Sequence, residues 1–181
     1  MKRTFAVFVA AAVFAAAVLS CATTGAAAGA GYMDRGLEHF DRGDFRAAIA
    51  DFSRAIESGP RYAAYAHFWR GEAHAVRAEF DQAIADFTRA LNLNPTMADA
   101  YFGRASTHFE RGNIEQAIAD ITQAMRLEPG DAFAYAFRGE MHFERGDFGQ
   151  SVADFEVAAR LEPGDHDIRE FLEDATRAWG R

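Results

Sequence analysis

The four prolines of this chain, Pro60, Pro95, Pro129 and Pro163, follow one another at 35, 34 and 34 residues, and each closes a copy of one stretch. The most faithful copies run from Glu79 to Pro95 and from Asn113 to Pro129. Self-similarity at a fixed period of this length commits a chain to a stacked array, in which each unit buries its apolar face against its neighbours. Counted so that proline is position 32, the units are 29–62, 64–97, 98–131 and 132–165, with one extra residue near Ala63.

Each unit holds two segments of helical apolar period separated by a turn signal. In the third unit they are Ala98 to Glu110 and Ile114 to Leu127, each near the mean length of a globular helix. The breaks fall at Gly43-Asp44, Ala78-Glu79, Gly112-Asn113 and Gly146-Asp147. Glycine suits the left-handed residue that ends a helix, and Asp or Asn beside it suits the cap of the next one. Asn113 with Gln116, and Asp147 with Gln150, have the spacing of a capping box. Proline then stops the second helix of each unit. The sequence therefore predicts an all-α solenoid of four helical hairpins. Beyond them, Asp167 to Trp179 places Ile168, Leu172, Ala175 and Trp179 on one face, opposite Arg169, Glu170, Glu173 and Arg177. That pattern predicts an amphipathic helix within 166–181 that caps the end of the array.

A helical hairpin of 34 residues resembles the tetratricopeptide repeat, and the marked positions of that family recur here from Gly29 to Asp165. Tyr32, His67, Tyr101 and Tyr135 occupy its first aromatic site. Its small first-helix site holds Gly36, Gly71, Ala105 and Gly139, and the partner site on the second helix holds Ala48, Ala83, Ala117 and Ser151. Phe52, Phe87, Ile121 and Phe155 fill the large apolar site, Ala55, Ala90, Ala124 and Ala158 the next small one, and the four prolines close the units. All four copies depart from the family pattern at two sites, with Arg35, Arg70, Arg104 and Arg138 in one and His39, His74, His108 and His142 in the other.

The recurring histidines suggest a metal ladder, but stacked repeats are offset by about 10 Å, whereas two ligands of one ion lie within about 4 Å of each other. Imidazoles hydrogen-bonded between helices are the expectation instead. Asp51, Asp86, Asp120 and Asp154 recur opposite the arginines. General acid–base chemistry needs inequivalent environments, and a pair copied four times offers none, so a structural ion pair is expected. No nucleophile and base stand in a working arrangement, no glycine-rich phosphate loop is present, and nothing in the sequence calls for a metal or another cofactor.

The net charge is −8, or −10 without Lys2 and Arg3, and Lys2 is the sole lysine. A chain so acidic lacks the clustered cations that nucleic-acid binding requires. Lys2-Arg3 followed by the apolar run Phe5 to Leu19 has the form of an export signal, since fifteen residues fall short of the ~20 that span a bilayer. Val18-Leu19-Ser20-Cys21 resembles the lipoprotein cleavage box of bacteria. That resemblance implies a signal peptide at 1–20, lipidation of Cys21, the only cysteine, and a flexible tether at 21–31. It also implies a protein facing the periplasm from a membrane, the outer one favoured because Ala22 follows the cysteine. The alternative is cleavage after Ala28-Gly29-Ala30, which gives a soluble periplasmic protein.

In the family the concave surface is lined by first helices, at the second, fifth, ninth, twelfth and thirteenth positions of each repeat. Here the resemblance implies apolar groove residues Met33, Phe40, Tyr65, Phe68, Phe102, Phe109, Phe133 and Phe143, with Asp41, Glu72, Asp99, Glu110, Glu140 and Glu144 as the charged ones. The Lys and Asn of the family's carboxylate clamp are missing from these helices. The expected partner is thus a basic or amphipathic segment of another protein, bound by a scaffold or adaptor of the cell envelope without catalysis of its own. The other readings are a periplasmic chaperone-like module, or an enzyme or metal-binding protein built on the histidines.

Overall fold

The computed structural model describes residues 24–180, and all the regular structure among them is helical. The helices are α1 (Thr24–Asp41), α2 (Phe45–Glu57), α3 (Pro60–Val76), α4 (Phe80–Leu93), α5 (Ala98–Glu110), α6 (Ile114–Leu127), α7 (Ala132–Arg145), α8 (Phe148–Leu161) and α9 (His166–Trp179). Each packs on the next, forming four antiparallel hairpins and a final helix. The odd-numbered helices also approach one another across repeats, α1 to α3, α3 to α5 and α7 to α9, so the chain is an all-α solenoid with one row of helices sharing a face.

The hairpin turns are alike because one residue in each is left-handed: Gly43, Ala78, Gly112 and Gly146, at φ of 76°, 56°, 78° and 85°. The next residue then donates its N–H back to the carbonyl of His39, His74, His108 or His142, at 2.8–2.9 Å, closing a Schellman turn in every repeat. The capping boxes do not form. Asn113 makes no side-chain cap bond, and the Asp147 carboxylate is engaged by Arg145 instead.

Two further expectations need correction. Pro95, Pro129 and Pro163 lie in the turns after α4, α6 and α8, but Pro60 is the first residue of α3. A first helical residue needs no N–H donor, and Gly59, at φ 132°, takes the bend before it. As a result α3 is 17 residues long, against 13 in α5 and 14 in α7, and absorbs the extra residue. The tether expected at 21–31 is also helical from Thr24 onward. Alanine is the best helix former, and Gly29 lets the helix sit close. A Cβ at Gly29 would lie 3.2 Å from the Tyr62 ring and 3.3 Å from Ser58 Cβ. The signal segment and Cys21 lie outside the described residues.

Inside the hairpins, Phe52, Phe87, Phe155 and Ile121 are fully buried, and burying a side chain of this size contributes about 1.5–3 kcal/mol. The opposing small residue makes the space. A Cβ on Gly36 would stand 2.6 Å from the Phe52 ring, one on Gly71 3.0 Å from Phe87, and one on Gly139 3.2 Å from Phe155. In the third hairpin both partners change together, Ala105 sharing a core with the smaller Ile121. Pro163 and the Asp165 cap lead into α9, which buries Ile168 and Ala175 and stacks Phe171 on Phe155 at 5.7 Å. Trp179, expected on the buried face, is largely exposed and rests over Gly149.

Candidate ligand groove

The arginine and aspartate columns form four bidentate ion pairs, Arg35–Asp51, Arg70–Asp86, Arg104–Asp120 and Arg138–Asp154, with N–O distances of 2.7–2.8 Å. Each joins the two helices of one hairpin. Three of the arginines donate a further hydrogen bond to a hydroxyl of the preceding hairpin: Arg70 to Ser53 at 2.9 Å, Arg104 to Thr88 at 3.0 Å, and Arg138 to Thr122 at 3.1 Å. Each of these three is thus a rivet between repeats. Sequence reasoning missed the hydroxyl column, although its signal was present. Ser53, Thr88 and Thr122 give way to Glu156 in the fourth repeat, after which no further arginine follows. Burial works against the charge of Asp86, but the hydrogen bonds from His67 and Arg70 outweigh it and hold this carboxyl below its ordinary range.

The histidines do not behave uniformly. His74 Nδ1 lies 2.6 Å from Glu79 Oε2, within its own hairpin turn, and His142 Nε2 lies 3.8 Å from Asp154. His108 Nδ1 is buried without a partner. Burial pushes both His108 and His142 below the ordinary imidazole value. Among the described residues they gather no metal-ligand set. The one such group is His166, Asp167 and Glu170, all exposed on the first turn of α9 and with ligand atoms within 4.8 Å of one another.

The groove residues expected from the sequence lie on α3, α5 and α7, and a cavity of about 330 Å³ between α3 and α5 brings five of them together. Phe68 and Glu72 come from α3, and Asp99, Phe102 and Glu110 from α5. The structure adds Phe80 from α4 and Gly103 from α5. Tyr65 and Phe133 are 55% and 50% exposed and stand open on the same helices. Several expected wall residues prove to be packing. Phe68, 7% exposed, and Met33 belong to the core. Phe109 meets Phe137 edge to face at 5.6 Å, and Phe143 meets Phe148 at 5.3 Å. Phe40 packs on Trp69 at 5.3 Å, and Phe102 stacks between repeats on Phe137 at 5.2 Å while still facing the cavity.

The charged residues of the groove are carboxylates. Burial first, and then the neighbouring charge of Asp99, raises Glu72 to about 7. Glu140 is raised to about 7 by burial and then by Glu144 and Glu110. A second cavity, of about 220 Å³, lies between α7 and α9 and includes Phe133, Phe137, Glu140 and Phe171. Neither cavity has a lysine, arginine or histidine in its lining. Among the described residues no helix is long and apolar enough to cross a membrane.

A family model described as tetratricopeptide repeat matches the chain at residues 33–98, 74–132 and 102–166. No curated protein matches it as a relative. Among solved structures it is similar to the crystal structure of MamA protein, with a TM-score of 0.78 at 22% identity over 84% of this chain and 83% of that one. A tetratricopeptide repeat protein from Parabacteroides merdae gives a TM-score of 0.78 at 17% identity, over 85% of this chain and 61% of that one. The first such domain of Spaghetti (RPAP3), bound to an HSP90 peptide, gives 0.63 at 23% identity over 66% and 94%. At these identities the likeness is one of fold.

Proposed function

The chain belongs to the tetratricopeptide repeat family, a protein-interaction fold, and from that premise we propose that it is a scaffold whose α3, α5 and α7 hold a basic or amphipathic segment of another protein. One observation carries the reading. The cavity between α3 and α5 joins aromatic walls to three carboxylates, Glu72, Asp99 and Glu110, none of which has an ion-pair partner among the described residues. A field of one sign beside an apolar surface favours a ligand of the opposite sign and repels one of its own. The peptide held by the Spaghetti (RPAP3) domain, SRMEEVD, is acidic, and this groove is unsuited to such a ligand. The Lys and Asn that would clamp a terminal carboxylate are missing from the described first helices.

The proposal extends to location. Lys2-Arg3, the apolar run Phe5 to Leu19 and the sole cysteine support a scaffold held at a bacterial envelope by lipid on Cys21, with the partner belonging to envelope machinery. One experiment tests both halves. Envelopes containing the wild type, Asp99→Arg with Glu110→Arg, or Cys21→Ser are crosslinked, fractionated and probed. The charge-reversed protein is expected to stay with membranes but lose its partner, and the Cys21→Ser protein to leave the membrane fraction. Partners retained after charge reversal would remove the groove from the account, and a membrane-bound Cys21→Ser protein would remove the lipid.

A further inference from the structure

The cavity between α3 and α5 exists because of one missing side chain. The sixth position of each first helix faces the first helix of the preceding repeat, and its occupants are Asp34, Trp69, Gly103 and Phe137. Trp69 fills the space toward α1, 5.3 Å from Phe40. Phe137 fills the space toward α5, against Phe102 and Phe109. Gly103 leaves the equivalent space toward α3 open, and Glu72 enters it. A Cβ at 103 would lie 2.7 Å from Glu72 Oε1 and equally close to the Phe87 ring. Glu72 is only 9% exposed and accepts no hydrogen bond from any described residue.

We propose that this cavity is a socket for one basic side chain, arginine or lysine, of the bound segment, with Glu72 as its counter-charge and Phe68, Phe80 and Phe102 against its methylenes. The inference rests on the groove reading above and names what that groove selects. A buried carboxylate without a partner is costly, and covering it with an apolar side chain would raise the cost. A guanidinium or ammonium supplies charge and donors at once, while its aliphatic stem suits the aromatic lining. The groups facing Glu72 offer no substitute. Asp99 and Glu110 reach the cavity from α5, α4 contributes the uncharged Phe80, and α1 contributes nothing. With its carboxyl raised to about 7, Glu72 is partly protonated at neutral pH, so arrival of a cation expels a proton.

The test selects short random peptides by phage display on the full chain, and measures the best binder by calorimetry against the wild type and Glu72→Gln, both checked for folding by circular dichroism. The expected peptide has one required Arg or Lys among apolar residues. Glu72→Gln is expected to weaken it about tenfold or more, and replacing the peptide arginine by citrulline to weaken it as much, with no further loss when both changes are combined. Buffers of differing ionisation enthalpy are expected to report proton release with the wild type and none with Glu72→Gln. Additive losses, or equal binding by Glu72→Gln, would overturn the socket. If such peptides still lose affinity to Asp99→Arg with Glu110→Arg, the groove reading stands without it. Recovery of no peptide sensitive to that charge reversal would overturn both.

Discussion

The four hairpins keep their spacing by matching sizes one residue at a time. Gly36, Gly71 and Gly139 make room for Phe52, Phe87 and Phe155, whereas Ala105 pairs with the smaller Ile121. Ile121→Phe alone overfills the third hairpin and is expected to destabilise it by about 1–3 kcal/mol. Adding Ala105→Gly should return most of that loss, less about 1 kcal/mol for glycine inside a helix. Urea unfolding of the two variants checks this, and a double variant no more stable than Ile121→Phe would contradict it. Both columns stand in the sequence, and the coupled exchange can be read by aligning the repeats. The burial of Glu72 cannot be read that way. It sits at a position that lines the groove, and what encloses it is a glycine 31 residues later on another helix.

At the scale of the helices, the turn signals were the most legible part of the chain. All four breaks fall where the residue pairs placed them, and three carry glycine at a positive φ. Ala78 adopts the same conformation with a Cβ, which costs about 1–2 kcal/mol for an L residue. Ala78→Gly should therefore stabilise the protein by about 1 kcal/mol in urea unfolding, and a loss of stability there would contradict the turn assignment. The ends of two helices were not legible, for a physical reason. Residues 24–31 have no apolar period, and their helix is held by the approach of Gly29 to Tyr62 and Ser58, a contact between distant parts of the chain. Pro60 carries the same local signal as the other prolines, and only Gly59 before it turns a terminator into a start.

In the molecule as a whole, the most faithfully copied residues make the frame. The paired Arg and Asp of each hairpin, with Ser53, Thr88 and Thr122 between hairpins, tie the repeats into one array. The second helices vary little because every repeat must stack in the same way. The first helices vary at the positions that face the groove, with Tyr65, Asp99 and Phe133 in one column and Trp69, Gly103 and Phe137 in another. Recognition belongs to these columns, and the array serves to hold them in register. Site-specific photocrosslinking tests this most directly, with benzoylphenylalanine at Phe133, 50% exposed on the groove, or at Leu127, 39% exposed at the end of a second helix. The partner is expected to crosslink from position 133 and not from 127; crosslinking from 127 alone would contradict the account.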